Sequence, residues 1–213
     1  MSKRLDVVID AWAYGDPIPD EYAFCVPAEE GHITMGLNLS PAIRWSNAPS
    51  ATKSFAIICH DPDVPSLPDD VNKEGRVVPA NLPRMDFYHW VLVDIAPNVQ
   101  ALPKGADSEG ITPRGKATGR TPHGLRGINS YTDWFASDAD MQGDYGGYDG
   151  PCPPWNDEIV HHYHFTVYAL NVAGLRLPTR FGGSEALAAL RPHVLAQGSW
   201  MGEYTLNPDL RRR

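Results

Sequence analysis

Prolines and glycines divide this chain into short apolar segments, and no other feature constrains its fold as much. The 213 residues include 20 prolines and 19 glycines, which lie along the whole length. Short apolar segments between such residues are typical of a β-rich fold with many turns. They predict strands at residues 33–37, 43–46, 54–60, 88–95 and 163–170.

Three of these segments also indicate how their strands are buried. Residues 55–59 and 90–93 are almost continuously apolar, which predicts strands that are covered on both faces. Residues 162–167 alternate between polar and apolar side chains. This alternation predicts a strand with His161 and Tyr163 on one face and His162 and His164 on the other.

Two other regions follow different patterns. Residues 98–149 are rich in Gly, Asp, Ser, Thr and Pro, and a segment this long predicts either a functional loop or missed elements. We interpret it as an ordered insertion over the candidate pocket, anchored by Tyr131, Trp134, Phe135, Tyr145 and Tyr148. Residues 184–190 predict a helix behind a serine cap, and Pro192 breaks it or begins a second short helix that ends at Gly198.

Composition and charge exclude several classes of protein. Hydrophobic residues make up 42% of the chain, enough for a core, and the length predicts a single domain over residues 1–213. The net charge of −8 argues against nucleic-acid binding and against attraction to anionic membranes. No apolar run approaches the ~18–20 residues of a membrane span, so stable membrane insertion is not expected.

The cysteines and the N-terminus predict a cytoplasmic protein. Cys25, Cys59 and Cys152 are widely spaced and odd in number, and they form no CxxC pair. We therefore expect three free thiols and no zinc site. The first residues, MSKRLDVVIDAW, lack the features of a signal peptide, which agrees with a reducing compartment.

The run HDPDVP at residues 60–65 predicts a rigid turn at the end of a strand. Each proline restricts its own backbone and that of the residue before it, so Asp61 would be held in place. His89 stands at the entrance of the next apolar strand. If it faces Asp61, the carboxylate would raise the pKa of the imidazole. A protonated His89 could then hold a phosphate or a carboxylate.

A third motif adds a stiff loop and further polar groups. Gly150, Pro151, Pro153 and Pro154 surround Cys152, and His161 and Tyr163 follow on one face of a predicted strand. Together with Asp61 and His89, these residues predict one small pocket.

The order and spacing of the three motifs resemble the phosphatidylethanolamine-binding protein family, in its bacterial Raf-kinase-inhibitor-like (YbhB/YbcL-type) branch, over most of the chain. The resemblance implies an all-β domain of packed antiparallel sheets with short C-terminal helices. It also implies a small-anion pocket for phosphate, phosphorylethanolamine-like groups or carboxylates, without a cofactor. The implied ligand-binding residues are Asp61, Asp63, His89, Gly150, Cys152, Pro153, His161 and Tyr163.

This chain departs from the family pattern at two positions. Cys152 stands where many eukaryotic members have glycine, and His162 replaces the usual arginine. If that arginine normally packs outside the cavity, anion binding survives its loss; if it steers anions inward, affinity should fall. The resemblance also implies a protein partner and a homodimer as open alternatives.

Other functions use the same residues. A hydrolase would use His89 as base with Asp61 orienting it and Cys152 as the nearest nucleophile. A metal site would use Asp61, His89 and His161, although they lack compact spacing. A kinase or protease inhibitor would act through surface loops. No catalytic motif is recognisable, so an anion-binding module is the leading prediction, with no catalytic and no metal-ligating residues.

Overall fold

The computed structural model describes residues 3–211, and most of the regular structure in that range is β-strand. The strands are β1 (Lys3–Arg4), β2 (Asp6–Val8), β3 (Cys25–Pro27), β4 (Ile33–Met35), β5 (Ile43–Ser46), β6 (Ser54–Pro65), β7 (Arg84–Ile95), β8 (Ala101–Leu102), β9 (Gly119–Thr121), β10 (Gly124–Arg126), β11 (His161–Leu170) and β12 (Val194–Tyr204). The helices are α1 (Tyr131–Trp134), α2 (Gly183–Leu190) and α3 (Pro208–Arg211), with 3-10 turns at Asp20–Tyr22 and Arg191–His193. The predicted all-β class is confirmed.

The strands form three sheets. A seven-stranded sheet has the order β1-β12-β11-β6-β7-β10-β9, and its pairs are antiparallel except for the parallel pair β1–β12. A three-stranded sheet has the order β2-β5-β8, and β3 pairs with β4 in a two-stranded sheet. The long central strands β6, β7 and β11 therefore lie side by side, which brings the three sequence motifs to neighbouring positions.

Both faces of the large sheet are covered at its centre. On one face, Phe55, Ile57, Trp90 and Leu92 belong to the main core, where the Trp45 ring lies 5.4 Å from the Phe55 ring. On the other face, residues of β6 and β7 pack against α2; these are Ala56, Ile58, Val91 and Val93. The continuous apolar runs of β6 and β7 are explained by this double burial.

The structure corrects the prediction for residues 194–204. Pro192 lies in a 3-10 turn, and the chain then enters β12 instead of a second helix ending at Gly198. A side chain at Gly198 would collide with the carbonyl oxygen of Leu5. Glycine therefore allows the N-terminal segment to lie against β12, because it removes the side chain from the face that approaches it.

The boundary of α2 also differs from the prediction. The helix is capped at Gly182, whose N–H donates a 3.0 Å hydrogen bond to the Glu185 carboxylate, and Ser184 is not the cap. A glycine suits the next position as well, since any side chain on Gly183 would meet the Tyr88 ring.

Residues 98–149 form an ordered insertion with four short elements, β8, β9, β10 and α1. Three of the predicted aromatic anchors are buried, namely Tyr131, Tyr145 and Tyr148, whereas Trp134 is half exposed. The hydroxyls of the buried three donate to main-chain carbonyls of Gly150, Met141 and Tyr22 respectively. The bonds to Gly150 and Tyr22 join the insertion to other segments of the chain, whereas the bond to Met141 lies within the insertion.

Candidate functional site

A cavity of about 400 Å³ opens at the end of β6, β7 and β11. Six of the eight residues predicted to bind a ligand line it: Asp61, His89, Cys152, Pro153, His161 and Tyr163. Asp63 and Gly150 are not among its lining residues. Aromatic and apolar side chains form most of the remaining wall, including Phe24, Phe87, Tyr131 and Phe135.

Asp61 lies in a bulged strand and not in the predicted turn. Strand β6 continues through Asp61 to Pro65, and its register with β7 shifts between Asp61 and Val64. The Asp63 N–H donates a 2.7 Å hydrogen bond to Asp61 Oδ1, which fixes the carboxylate. Pro62 lies in the bulged part of this strand and Pro65 is its last residue, and proline is tolerated within sheets at bulges.

The partner of Asp61 is His161, not His89. The two groups are 2.6 Å apart, from His161 Nδ1 to Asp61 Oδ2, and both are buried. On its other side, His161 Nε2 lies 3.2 Å from Asp157 Oδ2. The Arg84 guanidinium donates hydrogen bonds to both carboxylate oxygens of Asp157, at 2.6 and 3.0 Å. The four side chains form an alternating row of charges behind the cavity wall.

This arrangement keeps His161 protonated at neutral pH. Burial alone would lower its pKa, but Asp61 and Asp157 accept hydrogen bonds from both ring nitrogens and raise the pKa to about 9. Asp157 responds in the opposite sense: burial would raise its pKa, and the bonds from His161 and Arg84 hold it below the ordinary value. Both N–H groups of the His161 imidazolium are therefore used inside the protein.

His89 differs from the prediction in both partner and charge. Its Nδ1 lies 2.8 Å from the main-chain oxygen of Asp149. Burial lowers its pKa to about 4, although Asp61 opposes the shift. The expectation of a His89 imidazolium raised by Asp61 is therefore wrong: burial outweighs the carboxylate, which His161 neutralises.

Two buried polar atoms at the cavity have no partner within residues 3–211. They are His89 Nε2 and the Tyr163 hydroxyl oxygen. The two rings lie edge to face, with centroids 5.1 Å apart. Burial also raises the pKa of Tyr163 well above its ordinary value, so the phenol keeps its proton. Buried polar groups are normally paired, so each unpaired one needs an explanation, and a binding role is one such explanation. The indole nitrogens of Trp45 and Trp200 are also buried and unpaired in this range, but they do not line the cavity.

Asp63 and His162 pair with each other on the opposite face of the sheet. Asp63 Oδ2 accepts hydrogen bonds from the His162 main-chain N–H, at 2.9 Å, and from Nδ1, at 2.7 Å. His162 is part-exposed and away from the cavity, as the alternation of β11 predicted. His162 is therefore not among the residues that line the cavity.

Gly150 contributes through its main chain. Its N–H donates to Asn38 Oδ1 at 2.8 Å, and its carbonyl accepts the Tyr131 hydroxyl at 2.7 Å. A Cβ at this position would collide with the Tyr22 carbonyl oxygen. Glycine is required because the loop passes so close to another segment of backbone.

We expect Gly150→Ala to lower the free energy of unfolding by about 1–3 kcal/mol, because the loop must move away from Tyr22. Gly110→Ala is the matched control, since its Cβ would enter open space. Denaturant unfolding of both variants measures the difference. Equal stability of the two variants would contradict the close contact between the Gly150 backbone and the Tyr22 carbonyl oxygen.

Cys152 is joined to Cys25 by a disulfide, and Cys59 is a free, buried thiol. The expectation of three free thiols is therefore wrong for Cys25 and Cys152. The pairing was hidden because 127 positions separate the two cysteines. The bridge connects β3 to the proline-rich loop, and both cysteines line the cavity. It also removes Cys152 as a thiol nucleophile for the hydrolase hypothesis.

A second polar network behind His89 was not predicted. The buried Asp149 carboxylate accepts hydrogen bonds from Lys116 at 2.6 Å, Asn38 at 2.7 Å and Asn129 at 2.8 Å. Burial raises the pKa of Asp149, and Lys116 opposes that rise. Because the carbonyl of the same residue holds His89, this network orients the imidazole. Asp149 precedes Gly150 in the third motif, which is the only sequence signal that pointed to it.

Asp157 and Arg84 were also missed. Asp157 precedes His161 by four positions in WNDEIVHH. This spacing would have indicated a contact between the two side chains only if the residues between them were known to form a tight turn. Arg84 begins β7, where nothing in the sequence indicates its distant partner.

The structure gives no support to the metal hypothesis. Asp61, His89 and His161 share the cavity, but the part of the chain that is described holds no group of three or more His, Cys, Asp or Glu side chains placed to bind a metal ion. None of the helices between Lys3 and Arg211 has the length and apolar composition that crossing a bilayer requires.

Apolar side chains remain exposed at the mouth of the cavity. Met35 is 57% exposed, Met85 50% and Trp134 48%, and all three line the cavity. They come from β4, β7 and α1. The opening is therefore apolar, while the unpaired polar atoms of His89 and Tyr163 are buried.

Comparisons with known proteins agree with this architecture. The sequence profile of the family described as phosphatidylethanolamine-binding protein matches residues 8–205. A UPF0098 protein of Methanothermobacter thermautotrophicus is 32% identical over 169 residues, which cover 79% of this chain and 84% of the relative. The UPF0098 protein YbhB of Escherichia coli is 28% identical over 179 residues, covering 84% and 85% respectively. The crystal structure of E. coli YbcL, described as a new member of the mammalian PEBP family, matches with a TM-score of 0.68 at 25% identity and covers 95% of this chain and 99% of that one.

Proposed function

Because the chain belongs to the phosphatidylethanolamine-binding protein family, we propose that it binds a small ligand whose head group is an oxyacid of the phosphate or carboxylate type. The head group lies beside His89 and Tyr163, and the rest of the ligand contacts the apolar wall. The protein acts as a binding module without turnover. No cofactor is required.

The observation that carries this proposal is the pair of buried, unpaired polar atoms, His89 Nε2 and the Tyr163 hydroxyl. Leaving a buried polar group unpaired costs about 1–3 kcal/mol. A ligand that satisfies both atoms recovers that free energy, and most other ligands do not. The cavity volume of about 400 Å³ also falls within the usual range of small-molecule sites.

The surrounding groups favour binding over hydrolysis. Asp61 is bonded to His161 and does not orient His89. Cys152 is held in the disulfide with Cys25. Neither Asp61 nor Cys152 is therefore available for the Asp–His–Cys arrangement that nucleophilic catalysis would need.

We expect Tyr163→Phe to weaken binding of phosphorylethanolamine, inorganic phosphate or acetate about tenfold, because one hydrogen bond to the head group is lost. The variant should not lower the melting temperature, since the hydroxyl has no partner within residues 3–211. Calorimetric titration and thermal unfolding measure the two effects.

Tyr168→Phe is the matched control, because Tyr168 lies on the same strand and packs on the opposite face of the sheet. It should leave affinity unchanged. Absence of binding to all three probes at millimolar concentration and pH 5 would contradict the oxyacid proposal. Equal loss in both variants would show that the effect is not local to the cavity.

Regulation of a protein partner, as a kinase or protease inhibitor, is the second candidate. The observation in its favour is the exposure of Met35, Met85 and Trp134 at the mouth. A partner seated there would lose affinity in Trp134→Ser, whereas head-group binding near His89 would persist. Retention of full partner affinity in that variant would exclude this surface.

Oligomeric state and location stay predictions. A homodimer is testable by sedimentation. The Cys25–Cys152 bridge removes the cysteine argument for a reducing compartment, because such bonds persist chiefly in oxidising ones.

A further inference from the structure

The hydrogen-bonding geometry of His89 determines which of its nitrogens carries the proton. Nδ1 lies 2.8 Å from the main-chain oxygen of Asp149, and a carbonyl oxygen can only accept a hydrogen bond. Nδ1 is therefore the donor. In the neutral ring, Nε2 then presents a lone pair, and this atom is the one without a partner in the described chain.

Burial is the main effect that opposes a second proton on the His89 ring, whereas Asp61 and the main-chain oxygens of Asp149 and Gly150 favour one. Asp61 from β6 is the nearby anion, but it is bonded to the protonated His161 of β11, whose charge repels a second imidazolium. Tyr131 of α1 and Tyr163 of β11 face the ring as neutral phenols. The Asp149 carboxylate is engaged by Lys116.

The cations next to the cavity have already used their donors. His161 gives one N–H to Asp61 and the other to Asp157. Arg84 donates to Asp157 and to the main-chain oxygens of Asp63, Leu82 and Pro79. Among the buried polar atoms of the cavity, those that remain without a partner in residues 3–211 are thus one acceptor, His89 Nε2, and one hydroxyl, Tyr163, which can donate.

We propose that the cavity selects the hydrogen-donating form of its ligand: a head group with adjacent donor and acceptor atoms, in preference to the fully ionised head group. This inference rests on the function proposed above and specifies its ligand class. An undissociated carboxylic acid, a primary amide and a monoprotonated phosphate monoester share this chemistry. A fully ionised head group presents only acceptors, so it leaves His89 Nε2 facing another lone pair.

Benzamide and benzoate test the inference because they share a shape and differ in the hydrogen-bond donor and in charge. Their affinities are measured by calorimetry between pH 5 and pH 8, a window that lies above the pKa of His89, about 4, and below that of His161, about 9. Benzamide affinity should be constant across the window. Benzoate affinity should fall about tenfold per pH unit, because the competent acid form falls by that factor above its own pKa of about 4.

Phosphorylethanolamine extends the same experiment to a phosphate monoester. Its affinity should fall above pH ~6, where the monoester loses its second proton. Benzoate that binds as tightly as benzamide at pH 8, or phosphate affinity that rises toward pH 8, would overturn the inference while keeping the proposed function. Failure of every probe at every pH would overturn both.

Two variants test whether His89 Nε2 causes the preference for benzamide over benzoate. His89→Phe should reduce the preference for benzamide over benzoate at pH 7, whereas Tyr163→Phe should weaken both ligands and keep the preference. A preference of unchanged size in His89→Phe would contradict the role of Nε2. If His89→Phe does not fold, the pH profiles of the unaltered protein still decide between the two outcomes.

Discussion

Replacing His161 by alanine is expected to lower the free energy of unfolding by about 3–5 kcal/mol at pH 7. The substitution leaves Asp61 and Asp157 buried without the cation between them, and removing one partner of a buried ion pair has a cost of this size. Denaturant unfolding measures it. His162→Ala is the neighbouring control, since its pair with Asp63 is part-exposed and should contribute less than about 1 kcal/mol.

The same histidine makes stability depend on pH. The folded pKa of His161 is about 9, against an ordinary value of 6.5. Its contribution is therefore fully present below pH 6.5 and is lost as pH rises through 9, with a total on the order of 3 kcal/mol. His161→Ala should lack this alkaline decline. A decline of equal size in the variant would show that another group causes it.

His89 has the opposite effect on the pH dependence of stability, and its effect lies below pH 6.5. Its folded pKa of about 4 lies below the ordinary 6.5, so the folded state favours the neutral ring and loses stability as pH falls from 6.5 toward 4. The two histidines together predict maximal stability near pH 6.5. A maximum displaced by two units would contradict the charge states assigned to them.

The second large effect is expected from the disulfide. Removing the Cys25–Cys152 bridge should lower the free energy of unfolding by about 4–5 kcal/mol, because it closes a loop with a sequence separation of 127 residues. Reduction of the natural protein and the double variant Cys25→Ser, Cys152→Ser should have similar effects. Thermal unfolding with and without reductant measures them.

Thiol titration provides an independent test. The denatured, unreduced protein should contain one free thiol, from Cys59. The double serine variant should show no response to reductant, which serves as the control. Three free thiols without reductant would contradict the bridge.

The positions of the central strands could be predicted because their sequences carry the signal of burial. The apolar runs of β6 and β7 are covered on both faces, and the alternation in β11 separates His161 and Tyr163 from His162 and His164. By contrast, β12 was missed. Its inward positions include Gly198 and Gly202, where adjoining segments leave no space for a side chain, so the alternation is not visible as apolar residues.

Most of the residues that form the site could be predicted, but the hydrogen-bond partner of each residue could not. Sequence motifs located Asp61, His89, His161 and Tyr163, which all line one cavity. Their spacing did not indicate that Asp61 would bond to His161, or that Asp157 and Arg84 would complete the row. Hydrogen bonds between distant segments depend on strand register and on bulges, which the local sequence does not specify.

The sequence by itself determined the β-rich fold, the family and most of the residues around the cavity, because strand burial and rigid turns follow from local patterns. Only the tertiary structure decided the charges of those residues. Burial lowers the pKa of His89 to about 4, while two buried carboxylates raise that of His161 to about 9. The same side chain thus becomes a neutral acceptor in one position and a cation in the other, since desolvation and the neighbouring charges are properties of the assembled fold.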